Sequence, residues 1–223
     1  MNGQTPRGVL GFAPFPSPDD ALHDLDDFIP LLWEAMDASI GEAVGFFPNP
    51  DEIDPYLFPN LVRYHAKRFF QARHLAATEE ESSDVPEFEQ IGLANNGICV
   101  VRHRYALRIR KSDDGLLPVP GQSATLQKFY RQQPLPFNLM DRPAQVVDTS
   151  LLVLWDVDAK HRFAGLQLSC PRAGATTRAS VQTYWSVPIV NPVIATVRAT
   201  MPTLAEELNE IEALETKNLS RLG

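Results

Sequence analysis

Between residues 18 and 44 apolar side chains return every three or four positions, at Leu22, Leu25, Ile29, Leu32, Trp33, Met36 and Ile40. This spacing predicts an acidic amphipathic helix or helix pair, opened by Ser17-Pro18-Asp19-Asp20 and bent near Pro30, whose ring interrupts the hydrogen-bond ladder. The proline-rich residues 46–60 read as a connection. A second helix is predicted over residues 60–77, with Asn60 as its cap and Leu61, Val62, Ala66, Phe69 and Phe70 on its apolar face. The acidic run at residues 79–84 follows as an exposed linker, and a boundary is placed near residue 86.

Beyond that boundary the period shortens. Residues 99–111 alternate apolar and polar, residues 151–158 and 161–171 read as a hairpin turning at 158–160, and residues 180–190 supply a further strand. A short helix is predicted from near Ser123, and Thr203 with Glu206 forms a capping-box spacing for a terminal helix over residues 201–222. The expected fold is α+β, an antiparallel β-sheet flanked by helices and preceded by an acidic helical N-terminal region. Its expected division is a flexible arm (1–18), a helical region (19–86) and a sheet domain with the C-terminal helix (87–223).

Charge changes this picture most in the middle of the chain. The formal net charge is −8, yet residues 1–60 hold eleven acids and one base, residues 61–142 nine acids and twelve bases, and residues 143–223 eight acids and seven bases. Such asymmetry concerns partners more than fold. In an extended strand Arg102, Arg104, Arg108 and Arg110 share one face, about 6.5 Å apart at roughly 3.3 Å per residue, close to the phosphate repeat of an extended nucleic-acid strand. Val101, His103, Tyr105, Leu107 and Ile109 then take the core face. A turn within residues 103–106 would instead draw the arginines from two adjacent strands. Gly121 and Ser123 stand where helical N–H groups meet an anion, with Lys128 and Arg131 one and two turns on. The competing structural reading is that acidic side chains, which the N-terminal helix offers, cover the arginines as an internal contact.

Other chemistry is sparse. Asp156, Asp158 and His161 are the best local metal candidates, although Asp158 also suits an ordinary hairpin turn. The spacings of zinc and EF-hand sites do not occur, and no cofactor is expected. Cys99 and Cys170 sit in apolar strand-like runs and read as buried thiols, and no serine lies in a hydrolase elbow. A cytoplasmic chain without a membrane span is expected.

These features describe a noncatalytic interaction protein that binds an anionic partner, an acidic protein surface or a nucleic acid, through an arginine-lined strand. A bacterial regulator or toxin-neutralising accessory protein suits that description by analogy. The alternatives are a metal-dependent nucleic-acid-processing enzyme or phosphoesterase, and an acidic nucleic-acid mimic acting through residues 19–54. The terminal helix is a candidate surface for pairing with a second copy.

Overall fold

Prolines and small acidic caps decide where the helices begin. Ser17 caps α1 (Pro18–Asp24), its hydroxyl accepting from the Asp20 amide at 3.1 Å while the Asp20 carboxylate returns to the Ser17 backbone. The chain then turns, and α2 (Ile29–Gly45) starts with Pro30 in its first turn, where a missing N–H leaves nothing unpaired. The 18–44 pattern is therefore two helices. A third, α3 (Leu57–Glu79), starts three residues before the predicted Asn60. Asp54 Oδ1 captures the Tyr56 and Leu57 amides, both at 2.7 Å, so Asn60 lies inside the helix and donates to the Tyr56 carbonyl at 2.8 Å.

The computed structural model describes residues 15–79, 88–92, 97–112, 115–133, 148–173 and 181–192. All but the last three fall in one compact unit, residues 1–189; residues 190–192 begin a second unit of residues 190–223. The predicted terminal helix, the first fourteen residues of the arm and the acidic run beyond Glu79 lie outside the described residues. No helix among the described residues is long and apolar enough to cross a membrane.

Six strands form one sheet in chain order: β1 (Glu89–Gly92), β2 (Ile98–Arg102), β3 (Tyr105–Lys111), β4 (Thr149–Val157), β5 (Phe163–Ala173) and β6 (Gln182–Ile189). The fold is α+β, but the sheet is mixed rather than purely antiparallel, because β3 and β4 run parallel from Tyr105 opposite Thr149 to Lys111 opposite Trp155. The reason lies in the connection. The chain leaving β3 carries α4 (Ala124–Tyr130) and comes back to the end where β3 began, a crossover that yields parallel neighbours. The expected hairpin of β4 and β5 and the strand β6 are both present.

Both sheet faces are covered. One packs Val100, Tyr105, Leu107, Val153, Trp155 and Leu168 against Phe28, Met36, Phe58 and Phe70 of the helical region, so helices and sheet share a core. On the other, Cys99, Ala106, Leu152 and Leu154 meet Phe129 and Tyr130 of α4. The cysteines are free and buried as expected, and they belong to opposite faces. Phe15 of the arm stacks on Tyr184 with ring centroids 4.3 Å apart, and Trp185 Nε1 donates to the Pro16 carbonyl at 2.9 Å.

Candidate anion-binding site

The arginine run is a hairpin, and this sorts the four side chains differently from a straight strand. β2 ends at Arg102, His103 adopts a left-handed φ of 51°, and β3 begins at Tyr105. Cross-strand partners share a face, and here Arg102 faces Tyr105 while Cys99 faces Arg108. Even-numbered residues of β2 thus lie with odd-numbered residues of β3. Arg102 goes to the helix-covered face, Arg104 sits in the turn, and Arg108 and Arg110 go to the α4 face. The expectation that all four share one face is overturned, and His103 is exposed in the turn rather than in the core.

Arg102 and Arg104 are taken up internally. Arg102 pairs with Asp27, and Arg104 Nη2 lies 3.1 Å from Asp24 Oδ2, both acids lying at or just beyond the end of α1. Tyr105 is buried, and its hydroxyl donates to Asp24 at 2.7 Å. That hydrogen bond, reinforced by Arg104, holds the Asp24 carboxyl below its ordinary range. Burial pushes the Tyr105 phenol up to about 12, so it remains the donor near neutrality. Other acids of the N-terminal region are similarly engaged: Glu34 with Arg73, Asp20 at the α1 cap, and Asp54 at the start of α3.

Arg108 and Arg110 have the opposite circumstances. Arg108 is half-buried between its cross-strand neighbours Cys99 and Leu152, and Arg110 stands two residues on, one residue past the last β2 partner. Arg63, on α3, lies within electrostatic range of both. Burial and repulsion from Arg110 lower the pKa of both Arg63 and Arg108. Arg63 donates to the Asn60 side-chain oxygen, but its Nε and Arg110 Nη1 are buried without an acceptor. Among the described residues none of the three forms an ion pair with a carboxylate. Three half-buried cations that repel one another, with donors unspent, are costly unless an anion joins them.

The buried Tyr130 hydroxyl donates to the Pro118 carbonyl, and burial raises its pKa although Arg110 opposes the shift. Burial likewise drives the Cys99 thiol to about 12 despite Arg108 beside it, so it stays protonated near neutrality.

The remaining sequence candidates are placed elsewhere. Ser123 spends its hydroxyl capping α4, accepting from the Leu126 amide at 3.4 Å, and Gln127 Nε2 donates to the Gly121 carbonyl at 2.6 Å. Lys128 on α4 and Arg131 at its C-cap are exposed, flanking the inward-facing Phe129 and Tyr130. Asp156, Asp158 and His161 do not converge. Asp158 is bound by Arg162 at 2.6 Å and by the Lys160 and Arg162 amides, which hold its carboxyl down at about 2; Asp156 Oδ1 accepts from the Val157 amide; and His161 sets its ring edge-on to Phe58. Among the described residues no three potential metal ligands form a group.

From sequence Arg63, with Lys67 at four-residue spacing on the basic helix of residues 60–77, reads as the solvated face of a packed helix, whereas the structure leaves Arg63 half-buried and within electrostatic range of Arg108 and Arg110. The chain matches no protein-family model, no curated protein and no solved structure.

Proposed function

We propose that this protein is a noncatalytic binding protein for an anionic partner, and that the partner's anionic group sits among Arg63, Arg108 and Arg110. The observation that carries this reading is that three half-buried arginines within electrostatic range of one another pair with no carboxylate among the described residues, with a buried Arg110 nitrogen still lacking an acceptor. Guanidinium nitrogens match phosphoryl oxygens in geometry and in charge, and a tetrahedral dianion can accept from several arginines at once. The partner class is therefore a phosphorylated one. Arg102 and Arg104 take no part, since Asp27 and Asp24 already pair with them.

A thermal melt tests the proposal. Millimolar inorganic phosphate, set against chloride at equal ionic strength, is expected to raise the midpoint by about 2–5 °C once it exceeds its dissociation constant roughly tenfold. The variant carrying Arg108→Gln with Arg110→Gln is expected to lose that rise, which separates binding from the general salting effect of phosphate. Equal responses in the wild type and the variant would overturn the proposal.

A further inference from the structure

The outer side of α3 carries a second feature, independent of the guanidinium cluster but joined to it at Arg63. At about 100° per residue, Lys67, Asn60, Gln71, Tyr64 and Arg68 follow Arg63 around the helix. All are exposed or half-exposed, and none is acidic. Tyr64 shows 48% of its surface to solvent, and Arg68 lies over its ring at 5.7 Å from the centroid. Tyr56, just before the helix, is 84% exposed. Tyr56 has the exposed acids Asp51, Glu52 and Asp54 before it, whereas Tyr64 stands among cations and amides, the setting on which a base stacks.

We infer that the outer face of α3 binds single-stranded nucleic acid, with a base stacking on Tyr64 and the backbone running along Lys67 and Arg63. The inference rests on the anion site proposed above and names its ligand class. Charge complementarity supports it, because α3 lacks acids from Leu57 to Thr78 while the chain as a whole is acidic. Exposed ring faces favour unpaired bases over an acidic peptide, which would use the cations and ignore the rings. A duplex keeps its bases stacked on one another and would also ignore them.

Fluorescence anisotropy with a labelled oligothymidylate of about ten nucleotides tests this on the full chain at low salt. Binding is expected, with Tyr64→Ala weakening it about tenfold through loss of one stacked base. Tyr64→Phe should restore most of it, and the thermal midpoint should stay unchanged because the ring is exposed. If Tyr64→Ala leaves the affinity unchanged, or if a duplex or polyglutamate of equal charge binds as tightly, the stacking inference fails. The phosphate response in the melt reports separately on the guanidinium cluster, so a stacking failure with that response intact leaves the anion site standing.

Discussion

Arg108→Met is expected to make the protein more stable in phosphate-free buffer, by about 1–3 kcal/mol, and at the same time to remove its response to phosphate. The direction follows from where Arg108 sits. Its neighbours across the strands are Cys99 and Leu152, its face is otherwise filled by Ala106, Leu154, Phe129 and Tyr130, and the nearby charges are the like charges of Arg110 and Arg63. Methionine has comparable length, brings no charge, and fits irregular apolar space. Arg104→Met is the contrasting variant. Arg104 is half-exposed and pairs with Asp24, so its loss should cost roughly 0–1 kcal/mol and leave the phosphate response in place. Denaturant melts of the two variants check both signs. A clear loss of stability in Arg108→Met would mean that the arginine is compensated and that the site has been misread.

This contrast shows what the sequence conveyed and what it withheld. Alternation in residues 99–111 was legible, and so was the presence of acids able to cover arginines, because period and composition are local properties. The two-residue turn at His103 and Arg104 was not chosen by the pattern, because residues 98–101 are apolar at every position and so record no phase that the turn could be seen to reverse. Register then reversed the face of Arg102 relative to Arg108. The mixed sheet was hidden for a similar reason: nothing in β3 or β4 alone records that the chain between them carries α4 back to the starting end. Arg63 comes within electrostatic range of Arg108 and Arg110 from nearly fifty positions away, which no spacing rule within one segment reveals. The β4–β5 hairpin and α4 were read well, since Asp158 at a turn and Ser123 at a cap act on backbone amides within four residues.

Gln132→Ala is expected to destabilise the fold by about 2–4 kcal/mol, a large effect for a residue outside both sheet and helix. Pairing of β4 with β5 runs from Asp156 and Val157 to Leu152 opposite Ser169, and the next position brings Ser150 toward Pro171, which has no N–H to give. The Gln132 amide takes its place. Its Oε1 accepts from the Ser150 amide at 2.7 Å, and its Nε2 donates to the carbonyls of Ser150 and Pro171, both at 2.8 Å. Removing the side chain strands one donor and two acceptors at the edge of the core. Gln132 also has a left-handed φ of 56°, so Gln132→Gly relieves the backbone while deleting the amide. That variant should remain destabilised, by somewhat less than the alanine variant, with an unchanged denaturant slope. Wild-type stability in Gln132→Gly would show that the amide contributes nothing to the ladder.

Arg63, Arg108 and Arg110 are proposed to act as one anion site, whereas Arg102 and Arg104 are already paired with Asp27 and Asp24. Side-chain NMR of the arginine Nε–Hε groups during a phosphate titration reads this residue by residue. Signals of Arg63, Arg108 and Arg110 are expected to shift together along one binding curve, with those of Arg102, Arg104 and Arg162 unmoved. Shifts confined to Arg102 and Arg104, or spread evenly over every arginine, would contradict it.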